Sequence, residues 1–217
     1  MTVLARLGTA IVIDEVGVLP WRSVAAGALF GASLLLLDAS GLLIGGPGTV
    51  VMWLGLTAVA GAAAFTLDDP SIAVTSVAPV RPAVRLVARL LLPVGLLGIW
   101  MAYVAVVVHD TDAGLSAVAL GVTGSGVVLL SLGTAALVRV AGLPEPGALV
   151  APVVLLAVTA GLALPLAPGR LQLLLAVEAP GRELLIWGLL MSVQLGALVR
   201  AGLDPWQGRR RLGSFRP

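Results

Sequence analysis

The 217-residue chain has no cysteine, no lysine and a single histidine, His109. Without cysteine it has neither a disulfide framework nor a thiolate metal site, and one histidine cannot build a histidine-rich metal centre. Only 11% of the residues are charged, whereas a soluble domain carries roughly 25%. Aromatic residues make up 4% of the chain, so an aromatic cage for a cation is not expected.

The chain is instead rich in long apolar stretches. Hydrophobic residues make up 59% of it and the mean hydropathy is +1.09, which predicts an all-α polytopic membrane protein. A membrane-spanning helix needs about 20 mostly apolar residues, and six stretches fit. These predicted spans cover about residues 22–40, 49–67, 83–108, 113–140, 148–166 and 183–201. No soluble domain is evident, so residues 1–217 are predicted to form one transmembrane domain.

The arginines orient the predicted spans. With a cytoplasmic N-terminus, eleven arginines fall in cytoplasmic segments and only Arg170 and Arg182 fall outside. Because cytoplasmic loops carry the excess of basic residues, we expect both termini in the cytoplasm. The exclusive use of arginine suggests a GC-rich bacterial genome, and hence a bacterial cytoplasmic membrane. No basic face lies away from the membrane flanks, so nucleic acid is not an expected partner.

Two terminal segments are expected at the cytoplasmic surface. Residues 2–17 combine apolar side chains with Arg6, Asp14 and Glu15, which predicts an amphipathic helix in the membrane interface. The two acids close the apolar run and no small-residue cleavage pattern follows, so we expect this segment to be retained rather than removed as a signal peptide. Residues 202–217 form a basic tail.

The loop between the second and third predicted spans is unusually organised. It reads FTLDDPSIAVTSVAPVRPAVRLVAR over residues 65–89. Asp68 or the acid after it can cap a short helix whose first turn contains Pro70, where the missing N–H of proline costs no hydrogen bond. Pro79 ends this helix, and Pro82 begins the next span. The sequence therefore predicts a short helix that lies across its neighbours.

Basic and aromatic side chains are expected to anchor the protein at the membrane surface. Arg81, Arg85 and Arg89 recur every four residues and so share one face of the third span. Arg89 would lie about one and a half turns inside the membrane, where its side chain must either extend to the membrane surface or pair with an acidic residue. Trp206 in the tail is expected at headgroup depth.

The order acid, acid, proline, short helix, Ala-Pro-Val-Arg-Pro and then a span, over residues 68–82, resembles the first cytoplasmic loop of ABC-2 type transporter permeases. The N-terminal interfacial helix, the six spans and both termini inside are similar to that family, although the loop here is less charged. The resemblance implies a permease subunit of an ATP-driven exporter, which moves a hydrophobic or amphipathic cargo. It implies no catalytic site and no cofactor in this chain, since a separate ATPase subunit binds ATP and Mg²⁺. A second permease copy or a sister permease, and membrane lipids, would be the other partners.

The resemblance also implies a role for residues 69–78 as the coupling helix that docks on the ATPase, with residues 2–17 alongside. The implied ATPase-coupling residues are Asp68, Asp69, Pro70, Ile72, Val74 and Val77. An interfacial helix that merely shields the loop would have a similar sequence, so coupling and shielding are both open.

Glycines are frequent within the predicted spans. The stretch from Gly121 to Gly126 superficially resembles a phosphate-binding loop, but it lacks the Gly-Lys-Ser/Thr ending and a preceding strand, so it is not an ATP site. Small residues in membrane helices instead allow close helix packing. We expect this role for Gly27 and Gly31 in the first span and for Gly55 and Gly61 in the second.

Two other functions remain open. A non-catalytic membrane scaffold that binds a partner protein or lipid would have the same composition. A secondary transporter normally carries ionisable residues inside the membrane, and the second to sixth predicted spans have almost none. The sequence therefore favours a permease that is driven by an external source of energy.

Overall fold

The computed structural model describes residues 19–42, 50–68, 82–110, 117–141, 143, 145–163 and 180–203. These residues form six helices and no strand, which confirms the all-α prediction for this part of the chain. The helices are α1 (Trp21–Ala39), α2 (Val50–Phe65), α3 (Pro82–Asp110), α4 (Ala117–Val140), α5 (Pro146–Ala163) and α6 (Pro180–Leu203). The predicted interfacial helix at 2–17 and the predicted coupling helix at 69–78 lie outside the described residues.

Three helical segments are long and apolar enough to cross a membrane, judged by length and composition. They are Trp21–Ala39, Arg89–His109 and Leu120–Val140. Shorter apolar helical segments occur in α2, α5 and α6. Large apolar side chains also cover the outside of the bundle, and Leu29, Leu36 and Leu156 are 70–72% exposed. An apolar outer surface of this kind is typical of a protein that meets lipid, so the chain is a membrane-associated protein.

Proline begins three of the helices. α3, α5 and α6 each start at a proline, where the missing N–H would have no partner within the helix. The sequence predicted this start for α3 at Pro82. Pro93 lies inside α3 and Pro152 inside α5, and each removes one hydrogen bond from the backbone ladder.

The central helix is α2. It packs against α1, α3, α4 and α5, and side chains on all its sides are buried, including Leu56, Val59, Ala60 and Ala63. A helix that is apolar all round is stable only when it is enclosed, which is the position α2 occupies.

The glycines expected at helix contacts do lie there. A Cβ on Gly31 of α1 would be 2.8 Å from the carbonyl oxygen of Gly55 in α2, and one on Gly27 would be 3.1 Å from the Cβ of Ala62. On the other side of α2, a Cβ on Gly61 would be 3.3 Å from the Cβ of Ala151 in α5. These distances leave little or no room for a side chain, so α1 and α5 both approach α2 closely.

Glycine also shapes the surface of α4, in the stretch that resembles a phosphate loop. The ring of Trp100 from α3 occupies the space that a side chain on Gly124 would need. Trp100 is 1% exposed and its Nε1 donates a hydrogen bond to the carbonyl oxygen of Leu120 at 3.1 Å. Farther along α4, Gly133 makes the same room for Gln194 of α6.

Candidate functional site

The segment predicted to couple to a partner begins at residue 69, directly after Asp68 and four residues after the last residue of α2. Four helices meet at this end of the bundle, through Asp68 after α2, Arg89 of α3, Arg139 of α4 and Gly147 of α5. We call these four residues and their hydrogen bonds the Asp68 junction. The first residue of the predicted coupling set, Asp68, is therefore also an internal structural residue.

The carbonyl groups at the end of α2 are unusually well paired. The last four carbonyls of a helix have no donor within it and must find one elsewhere. Here the chain tightens into single turns in which a backbone N–H bonds to the carbonyl three residues earlier, as seen for Thr66, Leu67 and Asp68. The hydroxyl of Thr66 also donates to the carbonyl oxygen of Ala63 at 2.7 Å. Such pairing is required where no water is present.

Two arginines supply the next carbonyls with donors. The Nη1 of Arg139 donates to the carbonyl oxygen of Leu67 at 2.9 Å, and the Nη1 of Arg89 donates to that of Asp68 at 3.1 Å. Both positive charges also lie at the negative end of the α2 dipole, which favours them there. Arg89 is 1% exposed, so the structure places this expected surface anchor inside the bundle, with a backbone carbonyl as a partner.

The carboxylate of Asp68 caps the first turn of α5. Its Oδ1 accepts a hydrogen bond from the backbone N–H of Gly147 at 2.5 Å, and the N–H of Ala148 also bonds to the carboxylate. A carboxylate is a preferred acceptor at a helix N-terminus, where it meets unpaired N–H groups and the positive end of the dipole. A Cβ on Gly147 would be 2.6 Å from the Cα of Phe65, so only glycine lets α5 begin this close to α2.

The charge on Asp68 is costly to hold in this position. The residue is 5% exposed and lies just beyond the apolar segment of α2. The pKa of its carboxyl is raised from 3.8 to about 6, mainly by burial and to a smaller extent by the nearby Glu145. Hydrogen bonds from Gly147 and Ala148 and the charge of Arg139 act in the opposite direction. The carboxyl is thus ionised at neutral pH although burial disfavours the charge.

A second polar cluster joins α1, α3 and α4. The hydroxyl of Tyr103 donates to Oδ2 of Asp38 at 2.6 Å, and both side chains are buried. The rings of Tyr103 and Trp100 are 5.1 Å apart between centroids. Along α3, Tyr103 is about 21 Å from Arg89 at 1.5 Å per residue. This cluster is therefore separate from the Asp68 junction, and it attaches the part of α3 that is distant from Arg89 to α1.

The remaining predicted site residues are only partly described. Arg85 lies in the first turn of α3. The others lie outside the described residues, namely Asp69, Pro70, Ile72, Val74, Val77, Arg81 and Trp206. Their coupling and anchoring roles stay predictions.

Sequence reasoning missed Arg139 and Gly147 as partners of Asp68. The signals available were an acid shortly after an apolar helix and a glycine directly after the proline that starts another helix, but nothing in the sequence pairs them across 79 positions.

Within the described ranges, no group of three or more histidine, aspartate or glutamate side chains is placed to hold a metal ion.

Comparison with protein-family models, curated proteins and solved structures finds no match for this chain.

Proposed function

We propose that the chain is the membrane permease subunit of an ATP-driven exporter, in which residues 69–78 receive force from a separate ATPase subunit. The observation that best supports this proposal is the Asp68 junction. The residue immediately before that segment is hydrogen-bonded to α3 and α5, and its neighbour Leu67 is hydrogen-bonded to α4. A displacement of the segment would therefore act on the ends of four helices rather than on one loop.

In this proposal all six helices span the membrane and the Asp68 junction faces the cytoplasm. The position of Arg89 and Arg139 at that end supports the orientation, because basic residues concentrate on the cytoplasmic side. α2 is short for a span, with 16 residues, or about 24 Å of helix. Its enclosure by four other helices makes this length tolerable, since the neighbours rather than α2 meet the lipid.

The topology can be tested with single cysteines, because the natural chain has none. Ser40 after α1 and Leu143 between α4 and α5 are both exposed. A membrane-impermeant thiol reagent added to intact cells should label Ser40→Cys and should reach Leu143→Cys only after permeabilisation. Labelling of Leu143→Cys but not of Ser40→Cys in intact cells would reverse the orientation, whereas labelling of both variants would contradict the six-span arrangement.

The proposed source of energy lies outside the chain. Among the described residues, the buried charged side chains are Asp38, Asp68 and Arg89, and each is hydrogen-bonded at or near a helix end. A chain of ionisable groups across the middle of the membrane, which proton- or sodium-driven transport normally uses, is not seen in the described helices. Energy from ATP hydrolysed by a partner, and a hydrophobic or amphipathic cargo, are consistent with this arrangement.

The coupling role is tested by a pair of matched double variants. Ile72→Asp with Val74→Asp places two charges in the predicted docking segment, whereas Leu171→Asp with Leu173→Asp places two in the predicted outer loop. We expect an ATP-binding subunit to co-purify with the natural chain and with the outer-loop variant, and to be lost from the first variant. Normal ATPase association and export by the first variant would refute the coupling role, and absence of any ATPase from all three would favour the membrane scaffold.

A further inference from the structure

We propose that the Asp68 junction is mounted on a hinge, at which α3 bends at Pro93 and α5 bends at Pro152. The inference deepens the proposed function, on which its mechanical role rests, because a hinge at this level lets a force on residues 69–78 tilt the junction without displacing the whole bundle. The bending itself follows from the described helices alone, and its test needs no partner.

Interior prolines are restricted to two of the six described helices. Pro93 lies inside α3 and Pro152 inside α5, and the other four helices contain no proline after their first residue. An interior proline cannot donate a hydrogen bond to the carbonyl four residues earlier, and its ring crowds that carbonyl, so sharp bends in helices concentrate at proline. α3 and α5 are therefore the helices of this bundle that bend most easily.

Each proline interrupts its helix directly beside the Asp68 junction. Four residues before Pro93 is Arg89, whose side chain donates to the carbonyl oxygen of Asp68. Four residues before Pro152 is Ala148, whose backbone N–H bonds to the carboxylate of Asp68. The backbone hydrogen bond that each proline removes is thus the one that would join a residue at the junction to the next turn of its helix. The junction is less firmly continuous with the rest of α3 and α5 than regular helices would make it.

The two prolines lie at a similar height above the junction. Along α3, Pro93 is four residues from Arg89, or about 6 Å of helix, and along α5, Pro152 is five residues from Gly147, or about 7.5 Å. Because Arg89 and Gly147 both bond to Asp68, these two distances start from one level. Bends at one level can act together as the hinge of a single unit, whereas bends at different levels would oppose each other.

α3 is attached to other helices on both sides of Pro93. On the junction side, Arg89 donates to the end of α2. On the other side, the ring of Trp100 donates to a backbone carbonyl of α4 at 3.1 Å, and Tyr103 donates to Asp38 of α1 at 2.6 Å. Movement of the junction relative to the rest of the bundle is therefore concentrated in the turns of α3 that lie between these attachments.

The outer face of both helices is open beside the hinge. A Cβ on Gly95 or on Gly98 of α3 would meet nothing within 4 Å among the described residues, and Val94 is 64% exposed. Glycine inside a helix also costs about 1 kcal/mol relative to alanine, so the turns after the proline in α3 are soft as well as uncrowded. In α5, Pro152 and Val153 are exposed too.

The hinge is tested by distance measurements between spin labels on the full-length chain in lipid nanodiscs. Two matched pairs connect α3 with α6, one on each side of Pro93. The junction pair is Val87 with Val199, and the distal pair is Met101 with Leu185. All four positions are exposed, and each pair is made by two cysteine substitutions in the cysteine-free chain. Because α6 has no interior proline, it serves as the same reference for both pairs.

We expect a broader distribution of distances for the junction pair than for the distal pair. A bend that varies by about 20° at Pro93 moves position 87, six residues away, by roughly 3 Å. Pro93→Ala restores the backbone N–H and should narrow the junction-pair distribution to the width of the distal pair. Pro180→Ala, at the first residue of α6, should change neither distribution. Equal widths in the natural chain, or a broad junction-pair distribution that survives Pro93→Ala, would overturn the hinge.

The mechanical role of the hinge is tested on the complex with the ATPase subunit. The double variant Pro93→Ala with Pro152→Ala should retain the ATP-binding subunit that co-purifies with the natural chain, and should lose most of the ATP turnover of the complex in nanodiscs. An unchanged or higher midpoint of thermal unfolding would show that the variant is folded. Full turnover by the double variant would refute the mechanical role. Absence of any ATPase from the natural complex would instead refute the permease proposal, and the distance measurements would still decide whether the helices bend.

Discussion

The carboxylate of Asp68 accepts a hydrogen bond from the backbone N–H of Gly147, 79 residues later in the chain. This bond joins the end of α2 to the start of α5, and the two helices run antiparallel from it, since Gly61 lies against Ala151 farther along. The same end of α2 receives Arg89 and Arg139. A perturbation just after Asp68 is therefore transmitted directly to helices that are distant in sequence.

Gly147→Ala should separate α5 from α2. The new Cβ would be 2.6 Å from the Cα of Phe65, and backbone cannot move aside as a flexible side chain can. Overpacking of this kind typically costs about 1–3 kcal/mol, although alanine is otherwise the better helix former by about 1 kcal/mol. We expect a lower midpoint of thermal unfolding in nanodiscs.

The matched control for that substitution is Gly196→Ala on α6, where a Cβ would meet nothing within 4 Å. This variant should be as stable as the natural chain or slightly more stable. Equal midpoints for the Gly147 and Gly196 variants would show that α5 does not begin against α2 as described.

Tyr103→Phe should destabilise the chain by withdrawing a donor from buried Asp38. A buried polar group that loses a hydrogen-bond partner typically costs about 1–3 kcal/mol. The double variant with Asp38→Asn tests the pairing, because the two substitutions should be less than additive if they act on one bond. Strict additivity in the unfolding midpoints would argue that the two side chains do not interact.

Arg89→Gln should lower stability much more than Arg200→Gln. Arg89 is buried and donates to the carbonyl oxygen of Asp68, whereas Arg200 is exposed on α6. Loss of the guanidinium removes a charge-assisted hydrogen bond, worth about 1.5–3 kcal/mol, from the end of α2. Similar unfolding midpoints for the two variants would place Arg89 at the lipid surface after all.

Gly31→Ala should weaken the contact between α1 and α2 more than Gly27→Ala does. At Gly31 the added Cβ would lie 2.8 Å from a backbone oxygen, and at Gly27 its closest neighbour would be a Cβ at 3.1 Å. The order of unfolding midpoints should therefore be Gly31→Ala below Gly27→Ala, with Gly188→Ala, whose Cβ would meet nothing within 4 Å, unchanged. The reverse order would contradict the described register of the two helices.

The existence and approximate limits of the helices could be predicted from the sequence, because apolar length and proline positions are local signals. The third predicted span, 83–108, corresponds to α3 at Pro82–Asp110, and the sixth, 183–201, to α6 at Pro180–Leu203. The glycines of the first two spans also carried a usable signal, since small residues at helical spacing indicate where backbones approach.

The partners of the polar side chains could not be predicted in the same way. Asp68 could cap a helix beginning at Pro70 by its position in the sequence, yet its carboxylate bonds to Gly147. The side chain of Arg89 was expected to reach the membrane surface or to pair with an acidic residue, and a backbone carbonyl is among its partners. α2 is apolar on every side, so its sequence does not indicate which of its faces packs against α5. The long-range contacts of Asp68 and Arg89 depend on that packing, so they could not be predicted either.

The central claim is that the segment after Asp68 docks on an ATP-binding subunit, and photo-crosslinking tests it most directly. A benzoylphenylalanine placed at Ile72 of the full-length chain would be irradiated in intact cells of the native host, with the same group at Leu173 as the control, and the adducts identified by mass spectrometry. The account predicts a nucleotide-binding protein crosslinked from position 72 and not from position 173. Adducts from position 72 that contain lipid or other proteins but no nucleotide-binding subunit would contradict it.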